Sequence, residues 1–241
     1  MRILTIMSNA IAPAGRIGER IERAGGECVV VNPVDGEVLG SNAADLDGLL
    51  VLGGPMSVAD PAYDHVFAPT FELVRDYHAR EKPILGICLG AQIVARSFGK
   101  AVIPASEFQF GFKPIEFTSA GREDPLLEGL GPVAHIFVHH SDTYELPDEA
   151  ELLMTTDEVP NHSYRIGRTT YCFQGHLEAT AEIIRGWLAR PRQRVIEFLG
   201  EERGCALLDG AEQDISQNLE NALTFADTVG DRWIDLASME R

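Results

Sequence analysis

The fold of this chain is decided by the stretch Pro83-Ile84-Leu85-Gly86-Ile87-Cys88-Leu89-Gly90-Ala91-Gln92. Its apolar beginning predicts a β-strand, and the apolar-periodic segment that follows, Ile93–Phe98, predicts a helix. Cys88 stands at the tight turn between them, and the flanking glycines allow a cramped backbone to pass close to its neighbours. A strand, a G-x-C-x-G turn and a helix have the shape of the nucleophile elbow of hydrolases, with sulfur in place of oxygen. A thiol at a helix N-terminus is favoured as thiolate, so Cys88 is the predicted nucleophile rather than an inert buried cysteine.

Outward from the elbow, the first part of the chain alternates strands and helices. Strands are predicted at Ile3–Met7, Cys28–Val31, Leu49–Leu52 and Pro83–Ile87, and helices at Arg16–Ala24 and Phe67–Ala79. This order predicts an α/β fold with a mostly parallel central sheet and helices on both faces. Ligands of such sheets bind at the carboxyl ends of the strands, where Gly53-Gly54-Pro55 and the Cys88 turn both fall.

The second part of the chain reads as shorter strands, and we expect hairpins that extend the sheet or form a small antiparallel sheet. These strands are predicted at Ala101–Pro104, Phe112–Phe117, Ala134–Val138, Leu152–Thr155, Ser163–Ile166 and Thr170–Phe173, before a closing helix at Ala179–Ala189. We expect residues 1–190 to form one domain and residues 191–241 a C-terminal helical extension. The apolar stripe of the extension consists of Ile215, Leu219, Leu223 and Phe225. Such a stripe packs on the domain or on a partner subunit, which leaves a homodimer open.

Composition excludes several classes of function. The chain has 241 residues with 45% hydrophobic residues, typical of a globular protein, and no apolar run that approaches a membrane span. A net charge of −17 argues against binding to nucleic acid or to an anionic membrane. The four cysteines are scattered without CxxC or zinc spacing, which predicts reduced thiols in the cytoplasm and no metal site.

A thiolate nucleophile needs a base to take the thiol proton and a group to orient that base. The stretch Gln174-Gly175-His176-Leu177-Glu178 follows an apolar strand and offers both. Residues two apart in an extended segment point the same way, so Glu178 can accept a hydrogen bond from one ring nitrogen of His176 while the other faces the thiol. Because the chain has seven histidines, a chance His near a Glu is the alternative.

An oxyanion hole completes this chemistry. The backbone N–H groups of Gly53-Gly54-Pro55, after a buried strand, are candidates, with Gly54 as the donor, and the N–H of Leu89 beside the nucleophile is the second donor. The alternative is a turn that merely ends a strand.

Together these features resemble the class I glutamine amidotransferase family, and among its members those similar to the amidotransferase domain of GMP synthase. The segments that carry the resemblance are the elbow at residues 86–92, Gly53 to Val58 and His176 to Glu178, with weaker support from Gly111-Phe112, His140 to Tyr144 and Asn161 to Gly167. The resemblance covers roughly residues 1–190 and leaves the C-terminal extension outside.

The resemblance implies hydrolysis of the side-chain amide of glutamine, or of a γ-glutamyl compound, through a thioester on Cys88, without metal or organic cofactor. The residues expected to contact the substrate are Gly53, Gln92, Gln109, His140, Ser141 and Asp142. His140 and Asp142 are expected on a loop after Ala134–Val138, where they line the pocket or cap a turn. The histidines at positions 135, 139 and 162 are interpreted as structural or surface residues.

Three positions depart from the family pattern, one of them Leu177, where many members have proline. Gly175 replaces the usual aromatic residue before the histidine, which predicts weaker packing near His176. Gln109 stands where a glutamate is expected, and a neutral amide pairs less well with the α-ammonium group of glutamine. Glu107 is an alternative partner for that group.

Several functions remain open on this sequence. The chain could supply ammonia to a synthetase on another chain, since it contains no G-x-x-x-x-G-K phosphate loop of its own. It could instead be a self-sufficient γ-glutamyl amide hydrolase. A noncatalytic regulator that binds a protein through its acidic surface, and a redox or glyoxalase-type thiol protein, are the remaining alternatives.

Overall fold

The computed structural model describes residues 1–40, 42–189 and 192–238, which form a curled sheet flanked by helices. The strands are β1 (Arg2–Ile6), β2 (Glu27–Val31), β3 (Gly48–Val51), β4 (Ile84–Ile87), β5 (Val102–Phe117), β6 (Val133–Tyr144), β7 (Ala150–Thr155), β8 (Ser163–Ile166) and β9 (Thr170–Phe173). The helices are α1 (Gly15–Arg23), α2 (Asp64–Ala79), α3 (Leu89–Ser97), α4 (Ser119–Glu123), α5 (Ala181–Leu188), α6 (Arg192–Leu199) and α7 (Glu201–Ser238). Short 3-10 turns lie at Pro33–Asp35, Ala43–Asp45 and Pro61–Tyr63.

The strand order is β2-β1-β3-β4-β9-β8-β7-β5-β6. The first five of these strands pair in parallel, and the rest pair antiparallel. Alternate residues of the parallel strands enter two separate apolar cores, as Ile3 and Leu4 of β1 do, because successive side chains of a strand point to opposite faces. The predicted α/β class, with helices on both faces and an antiparallel extension, is confirmed.

The antiparallel half differs in detail from the sequence prediction. Ala101–Pro104 and Phe112–Phe117 are not separate strands, because β5 runs continuously between them and pairs with β6 from Val102 opposite Tyr144 to Glu116 opposite Val133. Of the intervening residues, Gln109, Phe110 and Gly111 pair with His140, His139 and Val138 of β6. A register shift lies between Pro104 and Gln109.

The same hairpin overturns the loop expected after Ala134–Val138. Strand β6 continues through His140, Ser141 and Asp142, so these residues are held in a paired strand. Sequence alone misses this, because the apolar alternation ends at Val138 whereas the pairing with β5 continues.

Helix α7 contacts α1, the first helix of the chain. Asp227 of α7 accepts a hydrogen bond from Nε of Arg16 at 2.6 Å, and Asp231 pairs in the same way with Arg20. Phe225 and Trp233 are buried in the core that also contains Ile17 and Ile21 of α1, and Ile215 packs against a third apolar cluster beside α5. The division at residue 190 stays a prediction.

Within the described ranges, no helix combines the length and the apolar character needed to cross a membrane.

Candidate active site

Cys88 sits between β4 and α3 in a backbone conformation that L-residues rarely adopt. Its φ is 52° and its ψ is −109°, while its own N–H donates to the carbonyl of Phe173 at 2.8 Å. Such a conformation costs about 1–3 kcal/mol and persists only where the surrounding structure enforces it. The turn directs the Cys88 side chain into a cavity at the carboxyl end of the sheet.

The glycines of the elbow are required by close packing. A Cβ atom on Gly90 would lie 1.9 Å from the carbonyl oxygen of Val51 in β3, and one on Gly86 would lie 3.0 Å from the carbonyl carbon of Gly90. Helix α3 therefore begins directly against the neighbouring strand, and only glycine permits this approach.

His176 and Glu178 form a buried pair behind the cavity. Nδ1 of His176 lies 2.7 Å from Oε1 of Glu178, whose side chain is fully buried. Nε2 of His176 has no protein hydrogen-bond partner among the described residues, so the ring presents its free nitrogen to the cavity.

The structure brings this histidine and Cys88 together around Gly53. A Cβ atom on Gly53 would lie 3.2 Å from Cε1 of His176 and 3.6 Å from Cβ of Cys88. Gly53 thus lets Cys88 and the imidazole approach each other, and it is not among the residues that line the cavity in the described part of the chain.

The groups around His176 determine which protonation state of its imidazole is favoured. Burial lowers the pKa of His176, but the Glu178 carboxylate and the nearby Cys88 sulfur raise it more strongly, so that it lies well above its ordinary value. A buried carboxylate whose only ion-pair partner in the described chain is His176 favours the imidazolium, because an unpaired buried charge is costly. The arrangement suits an imidazolium beside a thiolate.

The weaker packing expected from Gly175 is wrong. Ile136 fills the space beside Gly175, where a Cβ atom would lie 2.6 Å from its Cγ2. The N–H of His176 donates to the carbonyl of Phe137 at 2.8 Å, and the ring centroid of Trp187 lies 4.6 Å from that of His176. An aromatic residue from α5 packs on the histidine, where the family pattern has one at the preceding position.

Two backbone N–H groups fit the predicted oxyanion hole. Gly54 and Leu89 both line the cavity beside Cys88. In the described part of the chain neither N–H donates to a protein acceptor, so both are free for a ligand. Leu89 is also the first residue of α3, where the helix dipole adds positive potential.

A chain of buried amides connects the cavity wall to the sulfur. Nε2 of Gln92 donates to the carbonyl of Asp142 at 3.1 Å and to Oε1 of Gln174 at 3.3 Å. A backbone carbonyl can only accept a hydrogen bond, so Gln92 must turn its NH₂ group toward Asp142. The same NH₂ group donates to Gln174, which therefore accepts through its side-chain oxygen. The NH₂ group of Gln174 is thereby directed at Cys88 Sγ, 3.6 Å away.

Gln109 is a side-chain hydrogen-bond partner of His140. Burial lowers the pKa of His140 to about 4, so the ring is neutral near pH 7 and has one N–H. Its Nδ1 lies 3.1 Å from the carbonyl oxygen of Asp142 and must donate, which leaves Nε2 as an acceptor. Oε1 of Gln109 lies 3.1 Å from Nε2, and turning this amide by 180° about its last bond, which keeps its shape, presents the NH₂ group that Nε2 can accept from. A carboxylate at position 109 has no hydrogen to give, which is a physical reason for the departure from glutamate.

The cavity has a volume of about 390 Å³, in the range of small-molecule sites. Its polar part contains Gln92, His140, Ser141 and Asp142, as predicted, while Gln109 lies behind His140 rather than in the wall. Asp142 is held by Ser57, whose Oγ donates to Oδ2 at 2.6 Å. Within the described chain, no lysine or arginine lines this cavity, and no cluster of side chains suits a metal ion.

Sequence reasoning missed part of the wall. The sequence indicates no role for Gln174. His139, interpreted from sequence as structural or surface, lines the cavity, and its carbonyl oxygen lies 3.8 Å from Cys88 Sγ. The remaining lining residues that no motif indicated are Asn9, Ile11, Ala12, Phe108, Phe110, Trp187 and Val195. The alternation of Phe108 and Phe110 with Gln109 was the one available signal for a shared face.

Comparison with known proteins agrees with this architecture. The family model described as glutamine amidotransferase class-I matches residues 16–185. The chain therefore belongs to the class I glutamine amidotransferase family, as its motifs predicted.

Individual relatives refine the placement. The glutamine amidotransferase-like protein YfeJ of Salmonella typhimurium is 31% identical over 172 residues, which cover 69% of this chain and 71% of YfeJ. The glutamine-hydrolyzing GMP synthase of Aliarcobacter butzleri is 32% identical over 167 residues, covering 67% of this chain but only 30% of that protein. A glutamine amidotransferase of Thermotoga maritima shares the fold with a TM-score of 0.83 over 99% of both chains, at 20% identity.

Proposed function

We propose that this chain hydrolyses the side-chain amide of glutamine, or of a γ-glutamyl compound, through a thioester on Cys88, and releases ammonia for transfer by a partner chain. The observation that carries the proposal is the convergence of Cys88 and the His176–Glu178 pair at one end of a cavity. Membership of a family of generally cysteine-dependent enzymes supports the same chemistry.

In the proposed reaction the Cys88 thiolate attacks the amide carbon. The oxyanion that forms is stabilised by the N–H groups of Gly54 and Leu89. His176, held as imidazolium by Glu178, gives its proton to the departing nitrogen, and the thioester forms. Neutral His176 then takes a proton from water, whose oxygen attacks the thioester carbon; the acid is released, and the Cys88 thiolate and the His176 imidazolium are restored.

A synthetase partner is supported by the alignment with the amidotransferase part of a GMP synthase, of which this chain matches less than a third. The four free cysteines support a reducing compartment such as the cytoplasm. No step of the proposed reaction requires a metal or an organic cofactor.

The alternatives differ in what the site must do. A noncatalytic regulator needs neither a buried His–Glu pair nor a strained cysteine elbow, and both are present. A self-sufficient hydrolase of γ-glutamyl amides is the second candidate function. The apolar residues that line the cavity, among them Trp187 beside His176, favour it.

The proposal is tested by incubating the purified chain with L-glutamine and measuring glutamate and ammonia. We expect Cys88→Ala to reduce kcat roughly 10⁴-fold or more, as removal of a nucleophile does. The matched control is Cys28→Ala, a half-buried cysteine on β2 outside the cavity, which should retain turnover. Full activity of Cys88→Ala would contradict the mechanism.

A further inference from the structure

One side of the cavity is built from apolar and aromatic side chains, which we call the amine-side wall. It consists of Ile11, Phe108, Phe110, Trp187 and Val195. Most of these residues belong to one apolar cluster, and the Trp187 ring is fixed by a hydrogen bond from its Nε1 to the carbonyl of Ile11 at 2.7 Å. The wall is therefore a formed surface and not a set of loose side chains.

The position of this wall relative to the chemistry follows from His176. Trp187 both lines the cavity and packs on the imidazole, with ring centroids 4.6 Å apart. In the proposed function the leaving nitrogen must come within hydrogen-bond reach of His176 to receive its proton. Any group carried on that nitrogen then extends along Trp187 and its neighbours. Free glutamine carries no such group and leaves the wall without a ligand.

The cavity also has polar lining residues, among them Gln92, Ser141 and Asp142. Its lining therefore offers both kinds of surface that an amphipathic amide needs. Polar groups fit the glutamyl portion, and an apolar wall fits an alkyl or arylalkyl chain, because burying apolar surface on both partners is favourable.

We infer that the site takes N-substituted γ-glutamyl amides whose amine portion is apolar, and that it releases a primary amine. This inference rests on the proposed function. The Cys88 sulfur forms a bond to the γ-carbonyl carbon, the bond from that carbon to nitrogen breaks, and the proton of His176 goes to the nitrogen. Water then cleaves the thioester and returns a proton to His176, so that amide and water yield glutamate, the free amine and the original Cys88 thiolate beside the imidazolium.

The test compares L-glutamine with γ-glutamyl methylamide, butylamide and benzylamide, using released glutamate as the common readout. We expect kcat/KM to rise about tenfold or more from the methylamide to the butylamide, and the butylamide to exceed glutamine. Val195→Thr keeps the shape of the wall but adds a hydroxyl, and it should lower the ratio of kcat/KM for butylamide over glutamine several-fold. Val102→Thr, equally buried but outside the cavity, is the matched control and should preserve the ratio.

The outcomes separate the inference from the function beneath it. Cys88-dependent hydrolysis of glutamine with the substituted amides no better would overturn the inference and leave the proposed function standing. Hydrolysis of none of the four amides would also overturn it, and a glutamine-like electrophile that fails to modify Cys88 would then remove the proposed function too. Thermal unfolding of both threonine variants shows whether a change in the ratio reflects misfolding.

Discussion

Gln174 lies beside the proposed nucleophile, and other protein groups fix the orientation of its side-chain amide. The carbonyl of Asp142 fixes Gln92, and Gln92 fixes Gln174, so that an N–H is directed at the Cys88 sulfur. A buried N–H donor favours a thiolate over a thiol, because hydrogen bonds to charged groups are stronger than those to neutral ones. Gln174 is thus a positioning residue for the proposed nucleophile.

Replacing Gln174 by methionine removes the donor and keeps a similar shape. We expect the rate of Cys88 alkylation by iodoacetamide at pH 7 to fall about tenfold, which corresponds to one hydrogen bond to a charged group. Gln213→Met, exposed on α7, is the control. An alkylation rate equal to that of the unchanged protein would show that the contact does not support the thiolate.

The pH profile reports on Glu178. Because its carboxylate raises the pKa of His176, the imidazolium persists above the ordinary range, and kcat should fall on the alkaline side as that proton is lost. In Glu178→Gln the alkaline limb of the kcat profile should move to lower pH, with kcat reduced about 10² to 10⁴-fold. Glu182→Gln, an exposed glutamate on α5, controls for the charge change. An alkaline limb that stays in place would contradict the coupling.

Some of these residues were readable from sequence and others were not. Cys88, His176 and Glu178 stand in short local patterns whose spacing indicates their chemistry. Gln174 and Trp187 owe their contacts with Cys88 and His176 to the packing of distant elements, which no spacing records.

Among the elements, the elbow depends on the contact of α3 with β3. Gly90→Ala places a Cβ atom 1.9 Å from the Val51 carbonyl, so helix or strand must move, and we expect a loss of about 2–3 kcal/mol in the free energy of unfolding. Gly186→Ala in α5, where no atom lies within 4 Å of the added carbon, should instead gain up to about 1 kcal/mol. Urea unfolding measures both. A neutral Gly90→Ala would show that the elbow tolerates a wider turn.

The local sequence pattern predicts some of the strands and misses others. Strands β1, β3 and β4 are short apolar runs bounded by turns, and local pattern sufficed for them. The β5–β6 hairpin is held by backbone pairing across 11 register positions interrupted by a shift, and the polar residues of β6 after Val138 carry no apolar strand signal. That is why His140 and Asp142 were expected on a loop.

For the whole molecule, two buried neutral histidines predict acid sensitivity. Burial lowers the pKa of His140 to about 4 and that of His162 to about 3, whereas an unfolded histidine titrates near 6.5. Below pH 6.5 these two histidines bind protons in the unfolded chain but stay neutral in the folded one. Each therefore lowers the free energy of unfolding as the pH falls toward its folded pKa.

His162→Gln removes one of these titrations. Between pH 6 and pH 5 the free energy of unfolding should depend on pH less steeply than in the unchanged protein, by about 1 kcal/mol per pH unit. The exposed His135→Gln variant controls for the loss of an imidazole. Parallel pH dependences for His162→Gln and the unchanged protein would contradict the burial of a neutral ring at this position.

The central claim is that one sulfur, brought beside His176 by the fold, is the nucleophile toward a γ-glutamyl amide. Peptide mass spectrometry after incubation with a diazoketone analogue of glutamine tests it most directly. The account predicts a single adduct on Cys88, formed in parallel with the loss of amide hydrolysis and slowed by glutamine. An adduct on Cys28, Cys172 or Cys205 in its place, or inactivation without any modified cysteine, would contradict it.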